Sequence, residues 1–176
     1  MTFEKAMVIL FTKVAQTVIA ERFTHTFFDN DGNRVRKVFA YLFSVFIAIF
    51  VNLFFYKPIF NFLSIFLGLS AIALSYNGTI KRKCIFVFYI LAVSCLIDLV
   101  VSAFLIKPFG YDGYSAFVSI FALLLLHAAQ LITERFFGND LGIELNNRYW
   151  LFIIASLLVC IITSIVTVSY THLRAH

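Results

Sequence analysis

Cys84-Ile-Phe-Val-Phe-Tyr-Ile-Leu-Ala-Val-Ser-Cys-Leu-Ile-Asp-Leu-Val-Val-Ser-Ala-Phe-Leu-Ile106 contains one charged residue, Asp98. A helix needs roughly 20 apolar residues to cross the hydrocarbon core of a bilayer. A helix satisfies its own backbone hydrogen bonds there. Four further runs of the same character cover residues 38–55, 59–76, 114–132 and 149–167. Short connections rich in Lys and Arg separate most of them. The fold expected is all-α: a polytopic transmembrane bundle of about six helices, five strong spans plus a semi-polar N-terminal helix.

Composition points the same way. Of 176 residues, 62% are hydrophobic and 13% charged, and the mean hydropathy is +0.96. A soluble domain of this length cannot hide so much apolar surface. The 23 Phe residues are read as lipid-facing and inter-helix filling. The net charge of +5 sits in loops beside apolar runs. It is therefore read as orientation signal and contact with anionic lipid, and no nucleic-acid partner is expected. Cys84, Cys95 and Cys160 form no C-x-x-C pair and are expected to be small buried hydrophobes. The N-terminus has neither a basic start nor a small-residue cleavage site, so no secretory signal is expected. Residues 168–176 (Val168-Ser-Tyr-Thr-His-Leu-Arg-Ala-His176) resemble the in-frame translation of a sequencing-library adapter. They are set aside as a non-native tail, leaving 1–167 as a truncated transmembrane domain.

The N-terminal segment, residues 3–28, is interrupted by Lys13, Gln16, Glu21 and Arg22. Lys13, Gln16, Thr17 and Glu21 follow helical spacing and are expected to share one face. The segment either spans with that face turned to the bundle or lies in the interface; spanning is favoured. Asp29-Asn-Asp-Gly-Asn33 then reads as a turn.

Loop 29–37 carries Arg34, Arg36 and Lys37, loop 77–83 carries Lys81, Arg82 and Lys83, and loop 133–148 carries Arg135 and Arg148. The other connections hold Lys57, then Lys107 with Asp112. The three richer loops are therefore expected in the cytoplasm. The N-terminus is then outside and the last span exits outward, so a cytoplasmic C-terminal domain would need a seventh span. Both sparse connections read Lys-Pro, at 57–58 and 107–108, a pattern that suits a helix start. Tyr76, Tyr111, Tyr114, Tyr149 and Trp150 stand near span ends and read as an interfacial belt.

Asp98 is the most informative single residue. A charge at that depth costs at least about 2.5 kcal/mol, so Asp98 is expected to face the bundle interior or to be protonated. Ser94 and Ser102 flank it one turn away on each side. His127 and Gln130, extended by Glu134, make a second polar stripe. Structural hydrogen bonding explains these as readily as ligand contact, and the sequence leaves open whether Asp98 and His127 meet. Asn52 and Asn61, on either side of Lys57-Pro58, are expected to bond between helices. Gly68 and Ser75 read as small packing residues. No phosphate loop, H-E-x-x-H, G-x-S-x-G, metal-ligand spacing or catalytic constellation is present. Asp98, His127, Gln130, Lys13 and Glu21 are the candidate ligand or switch residues.

Tyr76-Asn-Gly-Thr-Ile-Lys-Arg-Lys83 closes a span in Leu-Ser-Tyr, then gives a Gly-Thr step and a basic cluster. With Glu21 inside the first helix, Arg34, Arg36 and Lys37 after it, and Arg148-Tyr-Trp-Leu151 opening a late span, the chain resembles a known family. It is similar over residues 1–167 to the transmembrane sensor region of accessory-gene-regulator-type peptide-pheromone histidine kinases of the GHKL superfamily. The resemblance implies a bundle in a bacterial cell membrane that detects an extracellular peptide and acts as a homodimer. It also implies a kinase core, absent from this chain, that alone would use ATP and Mg. In such a receptor Asp98 and the Lys13/Glu21 face are candidates for groups that change partners between two states. A small-solute transporter or substrate-binding membrane subunit, a membrane peptidase and a structural membrane protein are the alternatives. The peptidase lacks a paired Cys and His in a Gly-rich segment.

Overall fold

A computed structural model describes residues 3–28, 33–55, 58–110 and 115–137. They form α1 (Phe3–Phe27), α2 (Arg34–Phe54), α3 (Pro58–Ser75), α4 (Ile80–Val101), a π-helical turn at Ser102–Ile106, the short α5 (Lys107–Phe109) and α6 (Ala116–Phe137). The architecture is all-helical, with five long helices among the described residues instead of six. The span expected at 149–167, Arg148 and the belt residues Tyr111, Tyr114, Tyr149 and Trp150 lie outside them. Arg34–Phe54, Ile80–Ile106 and Ala116–Arg135 are long and apolar enough to cross a membrane, and Ile59–Ser75 is apolar but shorter. Among the described residues, the four expected spans are thus three helices of spanning length plus a shorter apolar one. At about 1.5 Å per residue, α2 alone matches the roughly 30 Å of a hydrocarbon core.

Local chemistry sets the helix ends. Asn33 caps α2, its side chain accepting from the Val35 N–H at 3.0 Å. Thr79 caps α4 by accepting from the Arg82 N–H at 3.4 Å. Such caps satisfy backbone donors that the first turn leaves free. Gly78 precedes Thr79 with φ +152°, a backbone conformation that residues with a side chain rarely adopt. Pro58 opens α3 as expected. Pro108 does not open the next helix. It sits in α5, directly behind the π turn, and the run ends at Gly110 with φ +65°. A proline lacks its N–H and its ring crowds the carbonyl four residues back. The π turn is the local widening that lets the helix carry Pro108 to its final turn.

Pairings fix the bundle. Asn52 meets Asn61 and Ser44 meets Gly68, so α2 and α3 are antiparallel. Phe27 packs on Phe86 and Phe23 on Tyr89, so α1 and α4 are antiparallel as well. Lys13 reaches Asn61 and Thr24 reaches Tyr76, so side chains of α1 bond to the start of α3 and to the residue just after its end. Tyr89 bonds Thr133 at 2.7 Å and ties α4 to the end of α6. α1 is a bundle helix packed against α2, α4 and α6.

Polarity is reversed relative to a water-soluble bundle. α1 buries Lys13 and Thr24 while exposing Phe3, Met7, Leu10, Phe11, Val14 and Val18. α2 exposes Phe39, Phe43, Phe46, Phe50 and Phe54. Cys84 and Cys95 are half-buried, not fully buried as expected.

The closest helix contact is at Gly68, where a built Cβ would overlap the Ser44 hydroxyl. Gly68→Val should force α2 and α3 apart and destabilise the protein by about 1–3 kcal/mol, read as a lower unfolding midpoint in detergent. Ser44→Gly should recover part of that loss in the double variant. A lone Gly68→Val of unchanged stability would refute the close packing.

Candidate functional site

The buried polar faces converge on a cavity of about 130 Å³. All five long helices contribute to it. Lys13, Gln16 and Thr17 come from α1, Ser44 from α2, Asn61 and Ser64 from α3, Ser94 and Asp98 from α4, and Ala122 and Leu126 from α6. Such a volume holds several waters or a small molecule.

Lys13, only 9% exposed, donates from Nζ to Gln16 Oε1 at 3.3 Å and to Asn61 Oδ1 at 3.4 Å. Asn61 Oδ1 also accepts from Asn52 Nδ2 at 3.0 Å, and the same Nδ2 donates to the Ala48 carbonyl at 2.8 Å. One amide oxygen thereby joins α1, α2 and α3. Two hydroxyls of the lining bond backbone on their own helices: Thr17 donates to the Lys13 carbonyl and Ser64 to the Asn61 carbonyl.

Asp98 lies opposite. It lines the cavity from α4 and is exposed. Lys13 and Asp98 line the same cavity from α1 and α4. No hydrogen bond or direct ion pair holds the Asp98 carboxylate among the described residues. A buried cation is thus stabilised mainly by neutral amides, with its counter-charge held off. Burying either charge alone is costly.

The cavity lies toward the start of α3 and the later half of α4. The other end of the bundle is packed shut. The Thr24, Tyr41 and Tyr76 hydroxyls lie 3.1 Å from one another. Phe28 stacks on Tyr76 at 5.4 Å, and Lys37 Nζ sits 4.3 Å above the Tyr76 ring. Phe23 and Phe86, almost fully buried, fill the space behind. The basic residues Arg34, Arg36, Lys37, Lys81, Arg82 and Lys83 gather at this closed end, where α2 and α4 begin.

Several expectations change. Tyr76, read as a belt residue, is buried at the centre of the closed end. Lys37 is buried instead of standing in a solvated loop. Glu21 is exposed: eight residues from Lys13 is about 80° of helix rotation, at the edge of the face that Lys13, Gln16, Thr17, Ala20 and Thr24 share. His127 is exposed and outside the cavity lining, so the structure does not bring it to Asp98. Gln130 is buried and donates from Nε2 to Glu134 Oε2 at 2.7 Å. Ser94 lines the cavity, whereas Ser102 opens the π turn. Ser44 and Ser64 were not foreseen; an isolated Ser in an apolar run gives no signal that separates lining from back-bonding to its own helix.

No protein-family profile, curated protein or solved structure significantly matches the chain.

Asn61→Leu should leave the Lys13 and Asn52 donors short of an acceptor and cost about 1–3 kcal/mol, measured by unfolding in detergent. Pairing it with Asn52→Leu should cost less than the sum of the two single changes. Strict additivity would show that the shared acceptor is unimportant.

Proposed function

We propose that this chain is a multi-pass membrane input domain, in which the central cavity responds to a signal from the side opposite the basic loops. The observation that carries the reading is the reversed polarity: apolar side chains cover the outside while Lys13 and Asp98 face each other within. An uncompensated charge is expensive in a bilayer, so charged groups held inside a bundle mark functional positions. With Arg34, Arg36 and Lys81–Lys83 in the cytoplasm, the closed end faces the kinase side and the cavity faces outward.

The resemblance to peptide-pheromone sensor kinases supplies the rest: an extracellular peptide as signal, a homodimer, and an ATP-dependent kinase core outside this chain. Signalling needs two helix arrangements of similar energy, one of which the ligand binds better. Lys13, bonded to neutral amides with Asp98 within electrostatic reach, has two such alternatives. In one it keeps Gln16 and Asn61; in the other it crosses to Asp98 and draws α1 toward α4.

A solute carrier is the second reading. Its support is the π turn that begins one helical turn beyond Asp98, since carriers interrupt helices near their binding sites.

Thr79→Cys, in a chain whose native cysteines are replaced, should resist an impermeant maleimide in intact cells, whereas Gly110→Cys should react. The reverse pattern would invert the orientation and defeat the proposal. Asp98→Asn in the full-length receptor should change signalling output without loss of helix content. Unaltered signalling and packing would remove Asp98 from the mechanism.

A further inference from the structure

The cavity presents two charges that do not neutralise each other directly. Lys13 Nζ is held by two neutral amide oxygens and can still donate a third hydrogen bond. Asp98 lines the same space with no partner for its carboxylate among the described residues, and the Ser94 side chain lies one turn earlier on the lining. A purely anionic occupant would satisfy Lys13 and repel Asp98. A purely cationic one would do the opposite. Either would also leave a net charge inside an apolar bundle, which is strongly unfavourable. An occupant with both charges satisfies both walls and keeps the cavity neutral.

We propose that the cavity binds a small zwitterion, its ammonium on Asp98 and Ser94 and its carboxylate on Lys13. The size limits the class. A cavity of about 130 Å³ is close to the roughly 150 Å³ that accommodates benzene, so the ligand has about six heavy atoms. That is the size of the smallest amino acids, and a whole peptide is too large. The assignment rests on the reading of this cavity as the input site and replaces the extracellular peptide that the resemblance implies with an amino-acid-sized zwitterion.

The test uses the full 176-residue chain in lipid nanodiscs. Thermal unfolding is followed with glycine, L-alanine or β-alanine, and with acetate or methylammonium at equal concentration. The zwitterions should raise Tm by about 5 °C near saturation, and the two single-charge controls should not. Asp98→Asn and Lys13→Met should each abolish the rise; helix content by circular dichroism establishes that both variants are folded. Ser94→Ala, a milder change, should raise the midpoint concentration several-fold. No rise with any zwitterion, or an equal rise with acetate or methylammonium, would overturn the assignment. Failure of the input-domain reading is separate: it shows in maleimide labelling and signalling output, and zwitterion binding would survive it.

Discussion

A lysine buried among helices, facing an aspartate it does not touch, constrains the rest of this bundle. Lys13 cannot shed its charge into lipid, and its stem is too deep in α1 to reach either end. Neighbouring helices must therefore supply acceptors. Asn61 does so, and because its oxygen also receives Asn52, the α2–α3 hairpin becomes part of the lysine's environment. On the same two helices Gly68 faces Ser44 with no room for a side chain. The polar requirement of one residue in α1 is met by the register of two other helices.

The two ends of the bundle use polar groups differently. At the closed end, three hydroxyls complete one another and aromatic rings fill the space around them. A network of that kind, fully satisfied, favours a single arrangement. At the cavity the amide oxygens of Gln16 and Asn61 are engaged, while no described residue holds the Asp98 carboxylate. In the proposed input domain a change at the cavity would pass to the closed end along α1 and α4. Those helices run antiparallel and share the Phe27, Phe86 and Tyr89 contacts. A shift of α1 at Lys13 must therefore move its far end against α4.

The apolar runs could be read from composition, since hydropathy and length depend on the residues alone. Asp98 and Lys13 were visible because a charge in such a run has few permitted directions to point. Their convergence was not visible, because it depends on the α1–α4 register, which Phe23, Phe27, Phe86 and Tyr89 set through packing. Glu21 was placed on the wrong face because spacing by eight accumulates an angular error that spacing by three or four does not. His127 and Gln130, three apart, likewise looked like one stripe. Yet Gln130 is buried and His127 exposed, since the stripe straddles the edge of the packed face. Tyr76 was misread for a different reason. An aromatic near a span end usually meets the interface, and only the arrival of Thr24 and Tyr41 from two other helices draws it inward.

Pro108 carries the same lesson about local and global signals. Alone, Lys107-Pro108 is indistinguishable from Lys57-Pro58, which does open a helix. The difference lies upstream: the apolar run from Ile80 continues to Ile106, about 40 Å at 1.5 Å per residue, longer than the hydrocarbon core. A helix of that length can carry a proline in its last turn if the ladder widens first, and the π turn at Ser102–Ile106 provides the widening. The turn begins one helical step after Asp98, whose carbonyl accepts the Ser102 N–H together with that of Leu99. The irregular backbone and the unsatisfied carboxylate are thus neighbours on one helix. Movement of Asp98 toward Lys13 would be felt first where the α4 ladder is weakest, on the side of the bundle away from the basic loops.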